Sequence, residues 1–375
     1  MSKNIAFIKM GSYSGTNDKV LEILAKYFPE YKVEVIDILT DFIKKKKSII
    51  IINLLFVLLE YGIDILMRRK EARACFFKTT YIFKKVKSEI SLYLSRGKYV
   101  FSFQTQSLFD LSSGGIPHFI YTDHTHLTNI YYPGFEKSGL FKKWVGLEKT
   151  IYRNAALNFT MSSNISKSII EQYSIEPEKV VCVYGGSNTK INTQAAECRS
   201  KYKTKNILFV GVDWERKGGP ELVEAFKIVQ KKHPDARLTI VGCSPVLNIP
   251  NCDVVGKVPL DEVSKFYGRA AIFCLPTKRE PFGIVFIEAA SHKLPIVSTK
   301  IGALPELVSD GETGYLVEIG DIVGLSQKLI SLVSDPQRCQ VFGERWRRNI
   351  AEKYSWANTG TMMKCNIVSK LNSNC

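Results

Sequence analysis

The sequence predicts an α/β protein made of two successive, doubly wound parallel sheets. Three observations carry that expectation. Short apolar, β-rich runs alternate with amphipathic helical stretches. Glycine closes several of these runs, at Gly11, Gly211, Gly242 and Gly256, where a chain leaving a strand must turn sharply. The alternation also stops in a polar stretch near residue 185 and restarts near 206. A chain of 375 residues has room for two such units.

In chain order, Asn4 to Lys9 is an apolar run leading to the loop Gly11-Ser12-Tyr13-Ser14-Gly15. Val20, Leu21, Ile23, Leu24 and Phe28 then share the face of a helix. Strands are expected at Lys32 to Ile38, Tyr99 to Phe103, His118 to Thr122, Ala156 to Ser162 and Val180 to Tyr184. Gly185-Gly186-Ser187-Asn188 opens a segment poor in large apolar residues, to about Lys205, which reads as a linker. Beyond it, strands are expected at Asn206 to Gly211, Arg237 to Gly242, Asp253 to Gly256, Ala271 to Leu275 and Pro295 to Ser298, with a helix over Glu221 to Lys232. The domains expected are 1–203, 204–352, and a closing helix and tail over 353–375. In such sheets, ligands sit outside the carboxyl ends of the strands.

Composition narrows the function. The net charge is +16, and residues 41–100 carry 14 basic and 5 acidic residues. A field of that kind attracts an acidic membrane surface, nucleic acid or phosphorylated ligands. The charge lies beside an apolar run rather than among interleaved aromatics, and no nucleic-acid motif occurs, so nucleic acid is not an expected partner. Nine cysteines without a CxxC pair suggest reduced thiols and a cytoplasmic protein. Met1 to Ser12 is too short and too broken by Lys9 for a signal peptide.

Two stretches carry chemistry. Glu280-Pro281-Phe282-Gly283-Ile284 leads from a strand into a helix whose apolar face contains Glu288. Backbone N–H groups at such a start suit an anionic or polyhydroxyl ligand. A carboxylate inside an apolar face is costly unless hydrogen-bonded. A ribose diol or a backbone group could each satisfy Glu288, and Glu280 could equally be a surface charge. Trp214-Glu215-Arg216-Lys217-Gly218-Gly219 follows a strand in the same way, either as a diphosphate clamp or as a solvated cationic turn.

Glu280 to Ala289 resembles the paired-glutamate signature of the retaining glycosyltransferases of the GT-B group, the glycosyl transferases group 1 or family 4. Further matches follow in the same order: Lys217-Gly218, Gly256-Lys257-Val258, Gly302-Ala303-Leu304-Pro305-Glu306, Asp310 to Val317, and Tyr354-Ser355-Trp356. The resemblance is dense from about 204 to 357. It implies two Rossmann-like domains facing across a cleft, with the last helix crossing back to the first. It implies a nucleotide-sugar donor held by the second domain and an acceptor held by the first. By resemblance, Glu288 binds the ribose, Glu280 the donor sugar, and Lys217 with Arg216 the diphosphate. The N–H groups of Phe282, Gly283 and Ile284 take sugar hydroxyls, and Val258 lies beside the base. Phe119 to His124 is similar to the family strand ending in Thr-x-His, so His124 is expected to face the donor sugar, with His126 the runner-up. Gly11 matches the glycine of the first loop. Two positions depart from the pattern: Val212 stands where the family has Arg, and Lys293 where it has Gly.

Lys44 to Lys47 precede Ile49 to Leu59, and Arg68-Arg69-Lys70 follow. Asn53, Glu60 and Asp64 make a spanning helix expensive. A core helix with solvated flanks and a surface docked on anionic lipid, within 41–88, both fit this pattern. The expected function is a metal-independent, retaining hexosyltransferase with no cofactor besides its nucleotide-sugar (UDP or GDP). Its acceptor would be a sugar or lipid-linked hydroxyl in polysaccharide, lipopolysaccharide or glycolipid synthesis, at the inner face of the membrane. Alternatives are a binding protein that lost catalysis, and a nucleotide-sugar hydrolase or epimerase.

Overall fold

Each half of the chain winds its strands into a six-stranded, all-parallel sheet. The computed structural model describes residues 4–13, 15–133, 141–189 and 199–373. Ser14, Cys198, Cys375 and the middle of the expected linker lie outside the described residues.

The first sheet contains β1 (Asn4–Lys9), β2 (Lys32–Asp37), β3 (Tyr99–Thr105), β4 (His118–Thr122), β5 (Leu157–Thr160) and β6 (Val180–Cys182), in the order β2-β1-β3-β4-β5-β6. The strand order reverses between β1 and β3. Its main helices are α1 (Thr16–Tyr27), α2 (Lys47–Leu66), α3 (Thr80–Arg96) and α4 (Phe141–Asn154). Burial on both faces explains the continuous apolar runs of β1 and β4. Phe28, Phe101, Phe119 and Phe159 form a chain of ring contacts within this core.

The second sheet contains β7 (Asn206–Val210), β8 (Arg237–Val241), β9 (Cys252–Gly256), β10 (Ile272–Leu275), β11 (Ile296–Thr299) and β12 (Gly314–Val317), in the order β12-β11-β10-β7-β8-β9. The reversal lies between β7 and β10, which pair in parallel through Ile207–Ile272 and Leu208–Phe273. Helices α5 (Gly219–Lys232), α6 (Leu260–Arg269), α7 (Ile284–Ser291), α8 (Ile322–Val333) and α9 (Pro336–Ala351) accompany it. Every expected strand is present within a few residues. β12 is the strand that pattern alone missed, because its four residues sit inside a turn-rich motif.

The domain limits differ from expectation. One compact unit is Met1–Val183 with Thr359–Cys375, and the other is Tyr184–Asn358. The break falls well before 203 because the described ends of the polar segment pack into the second unit. Trp356 donates Nε1–H to the Ser187 carbonyl at 3.0 Å, and Tyr202 donates its hydroxyl to the Lys293 carbonyl at 2.8 Å. The last helix, α10 (Trp356–Asn372), returns to the first unit from Thr359 onward. There Gly360 lies so close to the Tyr27 ring that a Cβ would come within 2.4 Å of it.

The basic, apolar segment folds as the 20-residue α2, which by length and composition alone could cross a membrane. It is not a core helix, since only Ile49, Asn53, Val57 and Tyr61 are buried along it. Asn53 donates to the Phe76 carbonyl at 2.7 Å and accepts from Thr79 Oγ1. Tyr61 donates to the Lys78 carbonyl at 2.9 Å, and Glu60 accepts from the Thr80 N–H at 3.0 Å.

Lys293 also has an explanation. Its φ is +58°, just past the end of α7, where a left-handed residue terminates a helix. A glycine suits that position and a lysine is strained there. Lys293→Gly is expected to stabilise the protein by about 0.5–1 kcal/mol, the relieved strain less the added freedom of the unfolded chain. A denaturant titration checks this through a raised midpoint at unchanged slope.

Candidate functional site

The strand reversal between β7 and β10 positions the site. The β7 loop runs through Lys217 and the β10 loop through Glu280, 63 residues apart. The two loops are stitched together. Lys278 N–H donates to the Arg216 carbonyl at 2.8 Å. Arg216 Nη1 donates to the Arg279 carbonyl at 2.9 Å. Gly218 has φ +76° and starts α5, and a Cβ there would sit 1.9 Å from the Pro276 carbonyl oxygen. A glycine is therefore required at this close approach.

Lys217 and Glu280 are both buried and form an ion pair. Next to them, Gly283 caps α7 with φ +96° and no side-chain cap. The first N–H groups of α7, following Phe282, have no carbonyl within their own helix to bond. A cation, a carboxylate and a helix start thus converge at one end of the sheet, as an anion or polyol ligand requires. Arg216 holds a different place. Its Nε donates to Asp213 at 2.9 Å, and it braces the loop. Burial opposes ionisation of Asp213, yet hydrogen bonds from Arg216 outweigh it and hold that carboxyl below its usual range. Val212 is exposed at the position where an arginine was expected. Val258 lies past the carboxyl end of β9, two strands from β7, at the same end of the sheet but outside the ion-pair cluster.

Glu288, in the second turn of α7, is 3% exposed. Burial pushes its carboxyl up to about 7, against hydrogen bonds from the Tyr267 hydroxyl and the backbone N–H groups of Asn188 and Thr189. The Tyr267 bond is 3.1 Å long. Neither partner was legible from motif spacing. Trp356 explains how the backbone N–H groups arrive. Its indole bonds Ser187 and Asn188, and Gly186 packs against its ring too closely for any Cβ.

Residues 190–349 match the family described as Glycosyl transferases group 1. That match spans most of the second unit. Sulfoquinovosyl transferase SQD2 of Arabidopsis thaliana is 27% identical over 258 residues, covering 64% of this chain and 50% of that protein. The chain spans about half the length of the curated relatives it matches. Sucrose-phosphate synthase from Thermosynechococcus elongatus superposes with a TM-score of 0.72 at 16% identity, covering 100% of both chains. HepE of Anabaena, solved in complex with UDP, superposes with a TM-score of 0.69 at 13% identity, covering 98% of this chain and 100% of that one. These likenesses establish the GT-B fold.

Outside the group 1 segment, the first unit carries the remaining candidates. Gly11 follows β1 with φ +60°, and beyond its chain neighbours no atom of the described residues stands within 4 Å of where its Cβ would be, so a ligand can approach the backbone. His124 follows β4. Its Nδ1 lies 2.7 Å from Asp123 Oδ1, and its side chain is partly exposed. Burial works against ionisation of Asp123, but the His124 contact holds its carboxyl below the usual range. The sequence contained this dyad as adjacent letters, without a sign that the two side chains meet. His126 packs edge-on to Trp144, and burial with nearby Lys78 and Lys70 lowers its pKa to about 4. Both histidines are half-buried, His126 against Trp144 and His124 beside Asp123. A groove of about 810 Å³ in the same unit, lined by Phe28, Tyr31, Tyr99, Ile116 and Val368, opens at the amino ends of β3 and β4, the opposite end from His124. Among the described residues no group of three or more His, Cys, Asp or Glu is placed to hold a metal ion.

Removing one member of the Lys217–Glu280 pair leaves a buried charge unpaired. Lys217→Met and Glu280→Leu are each expected to cost about 3 kcal/mol, and the double variant less than their sum. Chemical denaturation of the four proteins measures the coupling. Glu288 gives a pH signature. Between the ordinary carboxyl pKa and about 7 the native state keeps a proton that the unfolded chain has released, so stability falls as pH rises through that window. Thermal midpoints across this range should lose that slope in Glu288→Gln.

Proposed function

We propose that this protein transfers a sugar from a UDP- or GDP-sugar to a hydroxyl acceptor with retention at the anomeric carbon. Glu288 carries the reading. It is a buried acid held by Tyr267 and two backbone N–H groups, one turn behind a helix start and the Lys217–Glu280 pair. A ribose diol donates two hydrogen bonds to such a carboxylate, which offsets the cost of its burial.

The remaining roles follow the same placement. Lys217 neutralises the departing diphosphate, exchanging its bond to Glu280 for one to phosphate. Glu280, released toward the sugar, stabilises positive charge developing on the ring. The N–H groups of Phe282, Gly283 and Ile284 hold sugar hydroxyls, and the peptide at Val258 meets the base. Arg216 acts by bracing the β7 loop, since its guanidinium is already engaged. Gly11 admits the diphosphate to the backbone of the first loop, and His124, oriented by Asp123, contacts the donor sugar. The chemistry is metal-independent hexosyl transfer, with positive charge supplied by Lys217 and the α7 start. The acceptor is a sugar or lipid-linked hydroxyl of polysaccharide, lipopolysaccharide or glycolipid synthesis on the cytoplasmic face of the membrane. Likeness to a protein solved with UDP makes UDP the first nucleotide to test.

One observation favours a second reading, a donor-binding protein without catalysis. Exposed Val212 removes a cation from the diphosphate side, and Arg216 is tied to Asp213.

Calorimetric titration with UDP, GDP and ADP, and with their sugar conjugates, tests the assignment. One nucleotide should bind, with affinity rising as pH passes through about 7, because diol donors favour ionised Glu288. Glu288→Gln should weaken binding at least about tenfold, the cost of a lost charged hydrogen bond, and flatten the pH profile. Binding by none of them would overturn the donor site. Binding without turnover of the sugar conjugate, with EDTA present or absent, would select the second reading.

A further inference from the structure

The exposed side of α2 has no role in the donor chemistry. We propose that it is a membrane-docking face, laid lengthwise in the headgroup region of an anionic bilayer.

The distribution of side chains around α2 carries this. At 3.6 residues per turn, Asn53, Glu60, Tyr61 and Asp64 fall within an arc of roughly 100°. Asn53, Glu60 and Tyr61 all bond to the segment between Phe76 and Thr80. The rest of the circumference is apolar and solvent-exposed. Leu58 is 64% exposed, Leu59 79%, Ile63 72% and Leu66 84%, with Ile51, Leu54 and Leu55 beside them. The residues that argued against lipid in the sequence are thus turned inward, and no ionisable group interrupts the outward stripe. Spanning is excluded by the same fact, because the polar arc is packed against the protein itself.

The charge pattern identifies what covers the stripe. The helix is about 30 Å long, and exposed cations stand at both ends: Lys44, Lys45 and Lys46 before it with Lys47 as its first residue, Arg68, Arg69 and Arg73 after it. An apolar face between cationic flanks matches a surface with acyl chains beneath anionic headgroups. A second copy laid on the stripe, parallel or antiparallel, would bring two cationic clusters together. The docked face also lies on the working side of its unit. Lys143 of α4 reaches Glu60 of α2 at 3.7 Å, and the next residue, Trp144, packs on His126, two residues from His124. A lipid-borne acceptor would therefore arrive beside that loop.

The proposal does not depend on the donor assignment, and its test separates the two. The 375-residue chain is sedimented with vesicles of phosphatidylcholine alone, and of phosphatidylcholine with about one third phosphatidylglycerol. Binding is expected to the anionic vesicles and to be reduced by high salt. Leu55→Gln/Leu58→Gln/Leu59→Gln should weaken it by about tenfold or more, and Lys44→Gln/Lys47→Gln/Arg68→Gln should remove the preference for anionic lipid. All six positions are exposed, so circular dichroism, thermal midpoint and nucleotide binding should stay as in the wild type. Failure to bind anionic vesicles, or equal binding to both compositions, would overturn the proposal. So would a self-association in sedimentation velocity that the leucine variant abolishes while vesicle binding persists.

Discussion

Across the strand reversal of the second sheet, Lys217 and Glu280 meet as a buried ion pair between two loops far apart in the chain. Such a pair is costly to assemble, because both charges leave water. It forms because other contacts hold the two loops side by side. Gly218 lets α5 begin against the Pro276 carbonyl, Arg216 bridges both loops, and Gly283 turns the chain into α7. The helix start that would receive a ligand is placed by the same contacts. Disturbing the pair disturbs the geometry of the whole ligand end of the unit.

Glu288 is held by an interaction of a different kind. Among the described residues no cation pairs with its buried carboxyl, and its partners are a tyrosine hydroxyl and two backbone N–H groups. Those backbone groups come from 188 and 189, and Trp356 pins that stretch from the far end of the unit. The Tyr-Ser-Trp motif thus does more than precede the returning helix, since its indole orders the segment that satisfies Glu288. An acid poised near neutrality suits reversible engagement of a polyhydroxyl ligand, because modest hydrogen bonding tips its ionisation.

The first unit divides its labour between its ends and its flank. The carboxyl ends of its strands carry Gly11 and the Asp123–His124 dyad. The flank carries α2, whose polar side chains are absorbed by the segment at 76–80 and whose leucines face outward. An apolar stripe of this extent is unusual on a soluble surface. Together with the flanking cations it accounts for the local positive charge better than a ligand site does.

The sequence by itself determined the alternation of strands and helices, the two-unit plan and the group 1 motifs with Lys217, Glu280 and Glu288 in register. These features are local, since backbone propensity, turn glycines and residue spacing act over a few residues. It also showed that residue 293 departs from a glycine, though only the φ of +58° reveals why that matters. Tertiary structure decided which partners meet. It committed Arg216 to Asp213, supplied Tyr267 and the 188–189 backbone to Glu288, joined Asp123 to His124, and moved the unit boundary to Val183. It also decided that α2 buries its polar arc and exposes its leucines. These outcomes depend on strand order and on which surfaces pack together. The contacts to Glu288 join residues tens of positions apart, which no short window along the chain contains, while the adjacent Asp123–His124 pair and the Asp213–Arg216 pair are local in sequence but take their side-chain orientation from the fold.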